Sequence, residues 1–225
     1  MESIVQQKID KEVREGQVLR PFPTLPLENL RVSPLGIVPK KALYEFCLIH
    51  HLSFPEGISV NDAIPQELCT VRYTSFDEAV NMIRKYGVEA ELAKCDIKSG
   101  FRLLPVHPHD FNLLGFQFAG AFYVDRALPM GCSVLCAAFE KFNTFIEWKI
   151  RSRMECNSTA HYLDDFLFCG KRRSGRCAFI LNAFQILAKE LGLLLAEDKT
   201  EGLAPSLTFL GIELNMVQQL SLIHI

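Results

Sequence analysis

The chain has eight cysteines but no C-x-x-C pair among its 225 residues, and His50-His51, His107 and His109 lie near no cysteine pair at zinc-ligand spacing. The cysteines therefore read as reduced thiols, mostly in the core. The amino terminus, Met1 to Lys8, lacks the apolar run of a signal peptide, and no stretch approaches the roughly 20 apolar residues of a membrane span. A soluble intracellular protein, of cytoplasm or nucleus and without a membrane partner, is expected. Also missing is the basic excess usual in a protein that lives on phosphate contacts: 24 Lys and Arg stand against 26 Asp and Glu, for a net charge of −2. No internal repeat or low-complexity segment occurs. What is present is an apolar fraction of 49%, enough for a sizeable core, which excludes a disordered tail protein. Basic residues gather at Lys40-Lys41, Lys149 to Arg153, and Lys171-Arg172-Arg173 with Arg176, although any one cluster alone reads as a solvated face.

Ser3-Ile4-Val5-Gln6 fits a capping box that starts a helix, and Gly16 would close it before the extended, proline-rich stretch Pro21 to Pro26. The apolar runs Leu35-Gly36-Ile37-Val38 and Phe46-Cys47-Leu48-Ile49 suggest a β-hairpin around Lys40-Lys41. Ser75-Phe76-Asp77-Glu78 is a second capping box, followed by Phe76, Val80 and Ile83 on one helical face and a stop at Gly87. Ala90 to Ile97 reads as a buried strand ending at Asp96, followed by a short turn or helix through Phe101. Leu113 to Val124, interrupted by Ala119-Gly120, reads as a hairpin. Gly131 to Arg151 predicts a long helix with Leu135, Phe139, Phe142 and Ile146 on its apolar side. Thr159 to Leu163 and Phe166 to Cys169 flank Asp164-Asp165 as the two-residue link of a tight hairpin. A helix over about 174–191 ends at Gly192, and Leu207 to Ile212 and Leu220 to Ile225 are strand-like. This order predicts an α+β fold with helices packed on one face of an antiparallel sheet.

Adjacent carboxylates between apolar runs repel one another unless a cation neutralises them. Magnesium takes one or two protein carboxylates plus substrate phosphates, and two such ions can stabilise both the attacking and leaving oxygens of phosphoryl transfer. Asp96, at the end of the other strongly apolar strand, is the candidate third ligand. Because side chains alternate along a strand, Asp96 and Asp164 are expected as the main ligands and Asp165 as a peripheral one.

The ordered set Lys94 to Arg102, Leu128-Pro129-Met130-Gly131-Cys132-Ser133, His161-Tyr162-Leu163-Asp164-Asp165, Leu191-Gly192 through Lys199, and Phe209-Leu210-Gly211-Ile212-Glu213-Leu214 resembles the successive palm motifs of reverse transcriptases. Upstream, Ser33 to Lys41 and Leu48-Ile49-His50-His51-Leu52-Ser53-Phe54-Pro55 resemble the fingers, in wording most similar to the polymerases of DIRS-type retrotransposons. The resemblance implies a right-hand polymerase fold, with residues 1–26 as a helix and linker and 27–225 as fingers and palm. It implies RNA-directed addition of deoxynucleoside triphosphates to a primer on an RNA or DNA template, with two Mg2+ ions, or Mn2+, held by Asp96, Asp164 and Asp165. Phe101 matches the aromatic gate beneath the nucleotide sugar, though it reads equally as a core phenylalanine. Gly131 matches a close approach of the long helix to nucleotide or template, with a plain turn glycine as the alternative. Lys199 matches a lysine near the pyrophosphate leaving group, with a solvated loop as its alternative. Lys40 and Lys41 match finger lysines that meet the triphosphate, and Phe209, Leu210 and Gly211 match the hairpin that grips the primer end.

Cys47 departs from the family wording, in which an arginine precedes the Leu-Ile-His-His run. Nothing after Ile225 supplies a thumb, an RNase H domain or a recombinase, so the chain reads as a fragment of a larger polyprotein. A catalytically inactive or domesticated remnant that only binds nucleic acid is the alternative reading. An RNA-dependent RNA polymerase also shares paired acids, but Phe101 argues against it. Oligomeric state is not legible.

Overall fold

The computed structural model describes residues 2–39, 46–216 and 220–223. In chain order its elements are α1 (Glu2–Arg14), β1 (Leu35–Pro39), β2 (Phe46–His50), α2 (Gln66–Cys69), α3 (Phe76–Arg84), β3 (Ala90–Asp96), β4 (Gly115–Phe118) and β5 (Ala121–Val124). There follow α4 (Leu135–Met154), β6 (Thr159–Tyr162), β7 (Asp165–Lys171), α5 (Arg176–Glu190), β8 (Glu201–Ala204), β9 (Ser206–Phe209), β10 (Ile212–Asn215) and β11 (Leu220–Ile223). They divide into two compact units: Met1–Thr70 with Phe101–Ala138, and Val71–Gly100 with Phe139–Ile225. No described helix is long and apolar enough to cross a membrane.

In the first unit α1 already includes Glu2, so Ser3 is a helical residue and the expected capping box at Ser3 does not form. Gly16, at φ 73, does close the helix, with Gln17 N–H bonded back to the Glu12 carbonyl at 2.9 Å. The proline-rich stretch is extended, yet it is pinned: Leu19 N–H donates to Val124 O at 2.8 Å and Phe22 N–H to Phe122 O at 2.9 Å. β1 and β2 form the expected antiparallel hairpin, from Leu35 opposite His50 to Pro39 opposite Phe46. Its connection, with Lys40 and Lys41, lies outside the described residues. β4 and β5 pair around Ala119 and Gly120, both at positive φ, as a two-residue hairpin turn requires. Buried His50 bridges this unit through Asp125 Oδ2 at 2.8 Å and the Gly115 carbonyl at 3.0 Å.

The long helix starts at Leu135 rather than at Gly131. Gly131 has φ 113, incompatible with a helix, and a Cβ there would lie 2.0 Å from the His50 carbonyl oxygen. The close approach that demands glycine is therefore one of backbone to backbone within the fold.

The second unit is built on an antiparallel sheet of order β6-β7-β3-β8. The capping box at Ser75 and Glu78 is present in both directions, and α3 ends at Arg84, before Gly87, which begins a separate 3-10 turn. Alternation sorts the strands into two faces. On one, Phe166 and Phe168 meet Phe184 of α5, and His161 meets α4. On the other, Leu92, Leu167, Cys169 and Ala160 pack with Ala79, Met82 and Ile83 of α3 and with Leu207, Phe209 and Leu214. The two long helices thus share one face as expected, while the short α3 and a second, three-stranded sheet of order β11-β10-β9 cover the other.

Two further boundaries differ from the sequence reading. The β6–β7 turn is Leu163-Asp164, not Asp164-Asp165, because Asp165 is already paired with Tyr162. Leu207 to Ile212 is not one strand but a hairpin broken at Leu210 and Gly211, at φ 53 and 77. All eight cysteines are free, and only Cys95, Cys132, Cys169 and Cys177 are fully buried.

Candidate active site

β3 carries a nearly unbroken buried run and delivers Asp96, 5% exposed, at its carboxyl end. Antiparallel register sets Asp165 directly opposite Asp96, so both side chains leave the same face. Asp164 joins them because the turn is twisted: Leu163 lies at φ 51, a region costly for a branched side chain. Ile97 N–H donates to the Asp164 carbonyl at 3.0 Å, which ties the turn to the end of β3. Ligand oxygens of Asp96, Asp164 and Asp165 all lie within 4.8 Å of one another. Asp165 is therefore as central as the other two in this arrangement.

The cluster is electrostatically unfavourable by itself. Burial, the Asp164 and Asp96 charges in that order push the Asp165 carboxyl up to about 6, against the opposing pull of Lys199 and Lys94. Asp164 is raised as well, first by burial and then by Asp96. Lys199 sits on a short 3-10 turn, Glu197–Lys199, held by an Ala196 N–H bond to the Asp96 carbonyl at 2.9 Å. Its Nζ is 2.9 Å from Asp96 Oδ2, and that hydrogen bond raises its pKa. The loop is solvated, as its alternative reading held, but its lysine reaches the acids. Three carboxylates in this space form an all-oxygen donor set that suits a hard divalent cation such as Mg2+ or Mn2+.

Beside the acids, the ring of Tyr162 meets Tyr73 at 4.9 Å. Phe209 is buried, and Leu210-Gly211 forms the β9–β10 turn in the same unit. Phe101 and Gly131 belong to the first unit, where Phe101 is half-buried against Leu52, Val60, Leu114, Cys132 and Leu135.

Sequence reasoning missed the support behind β6. His161, 2% exposed, presents Nδ1 to Glu147 and Nε2 to Glu140 Oε1 at 3.2 Å. Arg151 adds NH2 to Glu147 Oε1 at 2.6 Å and to the Thr159 carbonyl at 2.7 Å. Burial by itself would lower the His161 pKa, but hydrogen bonds and charge from the two glutamates win and raise it to about 9. Glu140, Asn143, Glu147 and Arg151 recur at helical spacing along α4, and this polar stripe was the available signal. Lys94, too, was passed over: its ammonium meets Glu201 at 2.7 Å and the Thr208 carbonyl at 2.9 Å.

Known structures share this fold. The chain superposes on foamy viral protease-reverse transcriptase in complex with double-stranded DNA (TM-score 0.70, 19% identity, 94% of this chain and 33% of that one). It also superposes on the same kind of protein in complex with an RNA/DNA hybrid (TM-score 0.72, 19% identity, 96% and 26%). Native prototype foamy virus protease-reverse transcriptase gives TM-score 0.66 at 20% identity, over 92% and 24%. The chain thus spans about a third or less of these three proteins, and the shared part is the fingers and palm of the right-hand polymerase fold. No curated protein matches it. The family described as reverse transcriptase (RNA-dependent DNA polymerase) matches residues 49–214, and the chain belongs to that family.

Proposed function

We propose that the chain is the fingers and palm, over residues 27–225, of a retrotransposon RNA-directed DNA polymerase that extends a primer by two-metal nucleotidyl transfer. The observation that carries this reading is the convergence of Asp96, Asp164 and Asp165 within 4.8 Å. A divalent cation bound there supplies charge neutralisation for the attacking and leaving oxygens. Asp96 and Asp165 hold it from paired strands, and Asp164 from the turn between β6 and β7. Lys199 holds Asp96 from the solvent side and is placed to meet charge that develops on the leaving group. Lys40 and Lys41 take the triphosphate, Phe101 bars the ribose 2′-hydroxyl, Gly131 lines the nucleotide side, and Phe209, Leu210 and Gly211 grip the primer end. The foamy viral structures hold double-stranded DNA and an RNA/DNA hybrid, and a paired template and primer is a duplex of that kind.

Primer extension on an RNA template with Mg2+ and deoxynucleotides tests the proposal, with Asp164→Asn as control. Extension by the wild type and none by the variant supports it. No extension on any template, with intact folding, removes it. The second reading, a remnant that binds nucleic acid without chemistry, is favoured by Cys47: a half-buried thiol on β2 stands where the family wording has an arginine that would brace the triphosphate. Nucleic-acid binding without extension, rescued by Cys47→Arg, would mark it.

A further inference from the structure

Lys94 lies two residues before Asp96 on β3, so its side chain leaves the sheet on the face of the acids. Its neighbours on that face, Leu92 and Leu167, are apolar and fully buried, yet the ammonium escapes toward the edge of the sheet with its side chain only 19% exposed. There it meets Glu201 Oε1 of β8 at 2.7 Å and donates to the Thr208 carbonyl of β9 at 2.9 Å. Thr208 immediately precedes the Phe209-Leu210-Gly211 turn. One side chain therefore joins the strand that ends in Asp96, the adjacent edge strand, and the hairpin beyond it.

Among the described residues the second sheet, β11-β10-β9, forms no strand ladder with the four-stranded sheet. It is joined to β8 through Pro205 alone, and Leu207, Phe209 and Leu214 pack against the α3 face. Apolar packing is non-directional and tolerates sliding, whereas a hydrogen bond to one named carbonyl fixes a height. We propose that Lys94 is a positioning residue that sets the β9–β10 hairpin relative to Asp96, and so sets the primer 3′ end relative to the metal-binding acids. This inference rests on the polymerase reading above and adds a residue to it.

The competing account is that Lys94 merely stabilises the fold. Glu201 is 47% exposed, and an ion pair open to water contributes roughly 0–1 kcal/mol, so removing it leaves the protein folded. Misplacing reacting atoms is far more costly, about a hundredfold in rate for an ångström. Lys94→Met is therefore expected to lower kcat about tenfold or more, with the deoxynucleotide KM and the thermal midpoint little changed. Lys94→Arg, which keeps a donor, restores most of the rate, and Glu201→Gln falls between. Seating of the end is read without chemistry by a fluorescent base analogue at the primer 3′ terminus, whose signal on binding the wild type is reduced in Lys94→Met and recovered in Lys94→Arg. If the wild type binds primer but does not extend it, the polymerase reading fails, and the fluorescence still decides for or against Lys94. Unchanged kcat and unchanged fluorescence in Lys94→Met overturn the proposal, as does a joint fall of rate and thermal midpoint that arginine does not rescue. A wild type that gives no seating signal overturns it also.

Discussion

Asp165 faces Asp96 as its direct partner across the β3–β7 ladder, so the sheet itself forces two carboxylates together. Like charges directly opposed in an antiparallel pair destabilise it. Asp164 then adds a third, and among the described residues Lys199 is the cation paired with Asp96. The arrangement favours a bound divalent cation over the bare fold.

Replacing Asp165 by Asn should therefore stabilise the metal-free protein while abolishing extension. The folded carboxyl titrates at about 6 instead of the usual 3.8, chiefly through burial and then through Asp164 and Asp96. A raised acid pKa means that the destabilisation is absent below 3.8 and complete above about 6. The thermal midpoint of Asp165→Asn should exceed that of the wild type at pH 7, with the gap closing as pH falls below 3.8. Mg2+ should raise the wild-type midpoint more than the variant's, since only binding to the folded state stabilises it. A lower midpoint for the variant at pH 7 would show that the carboxylate is held by favourable contacts instead.

The clamp on His161 has the opposite sign. Its pKa is raised from 6.5 to about 9 by Glu140 and Glu147, against the effect of burial. The stabilisation is complete below pH 6.5 and is lost as pH rises through 9, on the order of a few kcal/mol at 1.4 kcal/mol per unit. Denaturant midpoints measured from pH 6 to pH 10 should fall in the wild type and stay flatter in His161→Gln. Equal slopes would place the alkaline transition elsewhere.

Much of this site is legible in the chain because local pattern and tertiary structure agree there. The buried run of β3 ends at an acid, the Ser75 capping box forms as written, and α4 follows its apolar spacing. The features that were not legible have non-local causes. Gly131 looks like a helix start because its constraint is the His50 carbonyl, 81 residues earlier and invisible to periodicity. The β6–β7 turn was placed one residue late because leucine at positive φ contradicts turn propensity. Leu210 hid a second turn inside an apolar run for the same reason. The α4 stripe was masked by the stronger apolar face, and Lys94 read only as part of a motif.

Gly131→Ala should fail in folding before it fails in binding. The added Cβ would meet the His50 carbonyl oxygen at 2.0 Å, and φ 113 disfavours any L side chain. Neither backbone can retreat freely, because His50 N–H is bonded to the Met130 carbonyl at 2.8 Å. Destabilisation of about 3 kcal/mol or more is expected from strain and overpacking together. Chemical denaturation reads it directly. A variant of normal stability with a raised deoxynucleotide KM would instead assign this glycine to nucleotide approach.

Phe101 has a packing role and a proposed selective one, and two measurements separate them. The ring is half-buried against Leu52, Val60, Leu114, Cys132 and Leu135, so truncation removes apolar contact and should lower stability by about 1–3 kcal/mol. That loss is expected whichever account holds, and alone it decides nothing. Selectivity is decisive, because a ring that fills the space of a 2′-hydroxyl acts on ribonucleotides and spares deoxynucleotides. Phe101→Val retains a branched apolar side chain for the cluster while removing the bulk of the ring. Its ratio of kcat/KM for deoxy- over ribonucleotide should fall about ten- to a hundredfold, the range open to steric discrimination of a single hydroxyl. The deoxynucleotide kcat should change far less. An unchanged ratio, with a lowered thermal midpoint, would leave Phe101 as a packing residue of the first unit and move the barrier to ribonucleotides to another side chain.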